Sequence, residues 1–458
     1  MDEIETLARH VRDSEFDRLP GEVTHITKLF IMDLLGVAIA GSSAPGCDTV
    51  VERMKAWKGP RTCTVIAHGL RLPSMHAAFA NSTLAHALDY DDTHFPADLH
   101  ASASIIPAAL AVAEERGGVS GKALIAAIAI GVDLAARLSL SLKGNMHDGW
   151  VPASLFGGFG AAASVAKLSG LDAERIRNSF GILYGQASGI RQGLLDGALS
   201  KRMQPAFAAM QAIYAVRFAA AGVSGARNVI SGKYGMAALY AGGAMRREAL
   251  LEDLGQRFEI ANMSFKMYPC CRGAHPSIEA VLRILKRAKL DPGAVEDVEI
   301  AVPLFTYDLV GSPFQIRENP QVDAQFSIPY TVATAIMKGA VGLRDFQGEV
   351  VVNATAVHQL AARVRVRPDA SLNKKIADSP LAVIRIRCKD GSEFSERVRT
   401  IRGDPQDPLS EDECVEKFRG CVAFSRKKFS RAASGKLVRT LLDLEALQDV
   451  RQLCRLLK

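Results

Sequence analysis

Between Leu84 and Ser104 the chain reads LAHALDYDDTHFPADLHASAS, which places four carboxylates (Asp89, Asp91, Asp92 and Asp98) and three histidines (His86, His94 and His100) within fifteen residues. Groups of these types, held together, can take a proton, return it and orient one another. If the apolar helix that precedes them persists to Asp89, His86 and Asp89 lie three apart on one face, and Asp89 can orient and polarise a histidine. The same residues could instead cap a helix end or pair with neighbours. They could also bind a metal, since both types are ligands, but no compact pattern such as HExxH or His-x-His accompanies them, and no metal is expected.

Two further segments carry candidate chemistry. In LSKRMQPAFA (199–208), Lys201 stands just before a helical stretch starting near Gln204, where free backbone N–H groups favour an anion. In FKMYPCCRGAHPSIEA (265–280), Pro276 suits the first helical position and Ile278, Val281, Leu282 and Leu285 form an apolar stripe behind it. That places His275 at the N-cap, a position histidine does not favour, with Arg272 three residues upstream. An imidazole there tends toward its neutral, proton-accepting form. Cys270 and Cys271 read as buried thiols rather than nucleophiles. His100, Lys201 and His275 thus each precede a helix, and three helix starts converging on one anionic ligand would reconcile them.

The elements that must position these groups change character along the chain. From about residue 20 to 260 the texture is helical and alanine-rich, as in Ile105–Glu115, Lys122–Leu138, Leu155–Leu168 and Gln204–Ala221. After about 265, alternating segments appear at Asp297–Val302, Arg363–Arg367, Leu381–Cys388 and Glu393–Ile401. The last two are joined by KDGS, a tight-turn sequence that predicts an antiparallel hairpin. Helices are expected at Pro276–Arg287 and Ile328–Lys338, and the tail from Glu411 is helical again. The expected architecture is mainly α with a smaller α+β domain: a helical domain from 1–264, completed by 405–458, and an α+β domain over 265–404.

Composition narrows the function classes. Lys and Arg number 56 against 49 Asp and Glu, a net charge of +7 spread along the chain, and aromatics are 6%. A nucleic-acid module would show clustered cations interleaved with aromatics, so no nucleic acid is expected, while a mild positive balance suits an anionic substrate. Leu29–Ala40 and Ala123–Val132 read as too short to span a bilayer, with Asp33 interrupting the first and Asp133 ending the second. The start of the chain lacks the pattern of a secretory signal. Eight cysteines without a CxxC pair argue against a zinc ribbon or a disulfide scaffold. A cytoplasmic setting is the expectation.

At these residues the chain resembles the MmgE/PrpD superfamily. The resemblance rests on HALDYDDT (86–93) followed by His100-Ala101-Ser102, on GGFGAAASVAK (157–167), on SKRMQPAFAA (200–209) and on YPCCRGAHPSIE (268–279). It implies a two-domain fold, a homodimer, no organic cofactor, and site residues Asp89, Thr93, His100, Lys201 and His275. The reading that follows is a cofactor-independent lyase, a dehydratase or decarboxylase, which removes a proton beside a carboxylate of a small di- or tricarboxylate such as citrate or aconitate. His100 or His275 would be the base; Lys201 and Arg272 would offset the enolate-like charge. Thr93, Arg272 and His94 would contact the substrate. Epimerisation of an iminodisuccinate-like dicarboxylate, or non-catalytic polycarboxylate binding, are the alternatives. One departure bears on the reaction: decarboxylase-like and dehydratase-like members often carry Gly-x-His-Pro where this chain reads Gly149-Trp150-Val151-Pro152, with His147 four residues before Val151 as a possible substitute. The lysine motif also has Ala206 where a glycine is usual.

Overall fold

The computed structural model describes residues 2–373 and 381–458. It divides into two compact units. The larger takes the chain up to Gln192, then Ser200–Phe265 and Leu409–Lys458; the smaller takes Gly193–Leu199 and Lys266–Pro408. Residues 193–199, which the sequence assigned to the helical domain, go instead with the smaller unit, where the Arg317 guanidinium and the Asn319 amide donate to the carbonyls of Leu195 and Gly197.

In the larger unit, helix α1 (Gly21–Gly41) is followed by a short hairpin of β1 (Cys63–Val65) and β2 (Leu70–Leu72) that the sequence did not announce. Helices α2 (Ser74–His86), α3 (Ser102–Arg116), α4 (Gly121–Leu142), α5 (Pro152–Leu168) and α6 (Gln204–Ala220) build the core. Small residues decide how closely these helices pack. A Cβ at Gly160 of α5 would lie 2.4 Å from the Gly131 carbonyl oxygen of α4, and one at Gly41 of α1 would lie 2.0 Å from the Leu84 carbonyl oxygen of α2.

Helices α1 and α4 are longer than the apolar runs suggested. At 21 and 22 residues both are long and apolar enough by composition to cross a bilayer, yet 78% and 89% of their most apolar windows are buried inside the protein, as core helices are. Asp133 does not end α4. It sits inside the helix, and its carboxylate accepts from Arg137 Nε one turn on at 2.8 Å, both side chains fully enclosed.

The smaller unit opens with helix α7 (His275–Ala288) and holds a four-stranded sheet in the order β4–β3–β5–β6. Strand β3 spans Val295–Val302, β4 Val364–Pro368, β5 Ala382–Cys388 and β6 Glu393–Val398. The KDGS turn joins an antiparallel pair, with Ala382 opposite Val398 and Gly391 at φ 85°. Strand β4 runs parallel to β3, which requires the long helical crossover between them that includes α8 (Ile328–Lys338). Ala382, Ile384, Ile386 and Cys388 alternate inward on β5, and the first three share a core with the apolar stripe of α7.

The chain then returns to the larger unit as α9 (Glu411–Phe424), opened by a reciprocal cap between Ser410 and Glu413. This helix lies close on α1, because Gly36 leaves room for Phe418: a Cβ there would sit 2.8 Å from the Phe418 ring.

Candidate functional site

Helix α2 stops at His86, earlier than the sequence suggested, and the backbone turns sharply so that Asp89 takes a left-handed conformation at φ 50°. For a non-glycine residue this is uncommon and is held by its surroundings. The Asp89 carboxylate accepts from Lys201 Nζ at 2.5 Å, and the pair is mostly enclosed. Asp89 is thus paired with the lysine, and its charge acts on His86 as well.

Asp91, which the sequence did not single out, takes the orienting role expected of Asp89. Its Oδ2 lies 2.8 Å from His86 Nδ1 and 3.9 Å from His100 Nδ1, while the two imidazole rings are 5.3 Å apart. The signal was present in the doubled acid of DYDD, but only the turn at Asp89 determines which carboxylate faces which ring. His86 is fully buried, and this burial pulls its pKa down, with the Asp91 carboxylate pulling the other way and Lys201 adding to the decrease. Neutral His86 donates its Nδ1 proton to Asp91.

His100 precedes α3 by two residues. Its Nδ1 lies 2.7 Å from the Asp92 carbonyl oxygen and 3.4 Å from Thr93 Oγ1. A carbonyl only accepts, so Nδ1 carries the proton and the lone pair of the neutral ring is on Nε2. Among the three clustered histidines, His100 alone reaches solvent: its side chain is 21% exposed, against 2% for His86 and 1% for His94.

His94, expected at the substrate, serves the framework. Its Nδ1 accepts from the Ala97 N–H at 3.1 Å and its Nε2 donates to Glu259 at 3.1 Å, so both ring nitrogens are occupied. Thr93 pairs through its backbone with Ser264, closing the cluster on one side. Asp92 is buried beside Ser102, whose N–H donates to Oδ2 at 3.4 Å, and burial together with the neighbouring Asp91 charge pushes its carboxyl pKa up to about 8.

Lys201 comes from a short 3-10 turn, Leu199–Met203, that feeds α6. Its neighbour Arg202 is buried, donates to the Pro45 carbonyl at 2.6 Å and also feels the Asp89 charge. Ala206 is fully buried one turn into α6. His147, four residues before Val151, is exposed, and its Nδ1 accepts from Gly149 N–H at 3.0 Å. Val151 caps α5 in extended conformation, with its own N–H bound to the Gly189 carbonyl.

Thus Asp89, Thr93, His100 and Lys201 lie in the larger unit, with His100 and Thr93 in direct contact and Asp89 and Lys201 paired. Arg272 and His275 belong to the smaller unit. His275 is the first residue of α7 and not its cap, since a 3-10 turn (Arg272–Ala274) precedes it. It is fully buried, its Nε2 3.3 Å from the Cys270 carbonyl and its ring edge-on to Tyr268. Arg272 is also buried, and its guanidinium donates to Asp404 at 2.6 Å, so its charge is already offset within its own unit. All eight cysteines are free thiols, with Cys270 buried. Among the described residues, no group of three or more His, Cys, Asp and Glu side chains is arranged to hold a metal ion.

A mainly helical fold with a smaller α+β unit agrees with what comparison with known sequences finds. Residues 5–248 match the MmgE/PrpD N-terminal domain and residues 268–441 the MmgE/PrpD C-terminal domain; the chain belongs to the MmgE/PrpD family. Among its relatives, a human cis-aconitate decarboxylase is 26% identical over 467 aligned positions that cover 99% of this chain and 94% of that protein. A cis-aconitate decarboxylase of Aspergillus terreus is 25% identical, covering 96% and 93% respectively.

Proposed function

We propose that this protein is a cofactor-independent lyase acting on a small polycarboxylic acid, with decarboxylation of a cis-aconitate-like acid as the principal reading and dehydration of a citrate-like acid as its near variant. The observation that carries it is His100: a partly exposed imidazole whose Nδ1 proton is committed to a carbonyl, next to His86, on which a lysine held by a carboxylate acts. In this reading Nε2 of His100 exchanges a proton with the carbon next to a carboxylate. The Lys201 ammonium binds that carboxylate and offsets the charge that spreads onto it. For decarboxylation, the C–C bond to the departing CO2 breaks, its electron pair stays on the conjugated carbon, and an imidazolium proton completes the product. For dehydration, the imidazole removes the proton and hydroxide leaves from the adjacent carbon. The names of the relatives support the first course.

Epimerisation of an iminodisuccinate-like acid is the second reading, favoured by Val151 at the position where decarboxylase-like members often carry histidine. Incubation with citrate-like, aconitate-like and aspartate-derived acids in deuterium oxide separates these readings. The lyase reading expects CO2 or water loss with deuterium beside a carboxylate; deuterium with inverted configuration and no loss indicates the epimerase; no exchange with any acid removes both. Activity is expected to survive exhaustive chelation, and restoration by one divalent ion after its loss would overturn the metal-free mechanism. A homodimer is part of the proposal. It is supported by Phe207, Tyr214 and Phe218, which leave one face of α6 apolar and exposed, and a monomer by light scattering would refute it. The eight free thiols suit the cytoplasm.

A further inference from the structure

One buried charge in the larger unit has no part in the chemistry above. Lys417, on α9, is a lysine with only 5% of its side chain exposed, and lysines are rarely buried unless paired. Its Nζ lies 2.7 Å from Asp33 Oδ1 on α1, 4.0 Å from the centroid of the Tyr90 ring, and 3.1 Å from the Tyr90 carbonyl oxygen, to which it donates. Tyr90 stands between Asp89, which holds Lys201, and Asp91, which faces His86 and His100.

We infer that Lys417 is a positioning residue for the catalytic turn: by gripping both the carbonyl and the ring of Tyr90 from beneath, it holds Asp89 and Asp91 at the angles that aim Lys201 and His100. This rests on the function proposed above. Two features of the structure make the role specific. The first is geometric. Asp89 is in a left-handed conformation, which is uncommon for a non-glycine residue although aspartate tolerates it better than most, and Tyr90 is the next residue along, so an anchor at its carbonyl opposes relaxation of the turn. The close seating of Phe418 at Gly36 brings α9 near enough to α1 for Lys417 to reach Asp33 and Tyr90 together. The second is electrostatic. Asp33 from α1 lies near Asp89, Asp91 and Asp92 of the turn. The cations near these carboxylates include Lys417 from α9 and Lys201 and Arg202 from the 3-10 turn, with the imidazoles of His86 and His100 beside Asp91. Removing Lys417 leaves Asp33 without that partner and makes the surroundings of His100 more negative, which favours its protonated form.

The test uses the full chain and the acid found to undergo exchange. Lys417→Met is expected to lower kcat by about tenfold to a hundredfold, the scale of a misaligned catalytic group, with KM changed less than about threefold because the buried Lys417 ammonium is engaged by Asp33 and Tyr90. The limb of the pH–rate profile that His100 sets is expected to move to higher pH, whether the imidazolium acts as acid or the imidazole as base. Lys417→Arg, which keeps the charge, is expected to leave that limb in place. The double variant Asp33→Asn/Lys417→Met removes both charges; it is expected to return the limb to its original pH while kcat stays low, since the Tyr90 carbonyl is still ungripped. It also serves if Lys417→Met alone does not fold. Unchanged kcat and pH limb in folded Lys417→Met, or an unchanged kcat in the double variant where only that one folds, would overturn the role. Titration of the His100 resonance by NMR reads the electrostatic part without turnover. A wild type that exchanges no acid therefore refutes the proposed function, whereas a His100 titration unmoved in folded Lys417→Met refutes this inference.

Discussion

His100→Gln separates chemistry from stability. Glutamine is uncharged and can donate its amide N–H to the Asp92 carbonyl, where His100 Nδ1 now sits at 2.7 Å, but it offers no basic nitrogen at the position of Nε2. The glutamine amide can keep the hydrogen bond to the Asp92 carbonyl, and the imidazole it replaces is partly solvated, so the expected loss is on the scale of one hydrogen bond, about 1 kcal/mol. Against a total stability of about 5–15 kcal/mol that leaves the variant almost wholly folded. Removing a general base costs about 10²–10⁴-fold in rate, and even a hundredfold loss corresponds to about 2.7 kcal/mol in the barrier. A rate effect of that size therefore cannot arise from unfolding. The assay is deuterium incorporation beside the substrate carboxylate, followed by NMR, with thermal melting run on the same samples. A fall of at least about a hundredfold with the melting temperature lowered by only a few degrees is expected. Full exchange in a folded His100→Gln protein would refute the assignment of the base and, with it, the tautomer argument built on the Asp92 carbonyl.

Lys201→Met is expected to raise the substrate concentration needed and to lower the maximal rate by about 10²–10³-fold. It should also lower the melting temperature, because mostly enclosed Asp89 loses its ammonium partner; the Asp89→Asn/Lys201→Met pair should regain stability and not activity, and a stable, fully active Lys201→Met protein would contradict both roles. Asp92 has its folded pKa raised to about 8 by burial and by Asp91, above an ordinary value of 3.8. Between these values the folded form keeps a proton that the unfolded form has lost, so stability falls as pH rises from about 4 to about 8 and is flat beyond. Asp92→Asn removes that penalty. Its melting temperature should gain on the wild type from pH 5 to pH 9, and an offset that does not change with pH would sink the argument. Gly160→Ala should destabilise by about 1–3 kcal/mol despite the better helix propensity of alanine, since its Cβ would meet the Gly131 carbonyl at 2.4 Å and Ile105 at 2.6 Å; an unchanged melting curve would show that α4 and α5 can part without cost.

The helices and strands themselves were legible from local pattern, because periodicity of apolar residues is set by which face must be covered. Gln204–Ala220, Ile328–Lys338 and the hairpin across Asp390-Gly391 lie where their residues indicate. So was the identity of the polar segment: no other stretch gathers acids and histidines as residues 86–100 do. What local pattern could not contain was the pairing among them. Helical spacing joined His86 to Asp89, but the chain leaves the helix at His86 and Asp89 turns left-handed, so Lys201, 112 positions away, claims Asp89 and leaves Asp91 to the imidazoles. His94 looked like a substrate ligand until Glu259 and the Ala97 N–H were found at its two nitrogens. Lys417 is one cation among many in the sequence, and it gains meaning only because Gly36 admits Phe418 and brings α9 onto α1. Hydrophobic periodicity is a property of neighbours along the chain, whereas the protonation and aim of a side chain are set by whichever groups packing brings within a few ångströms, and those come from distant parts of the sequence.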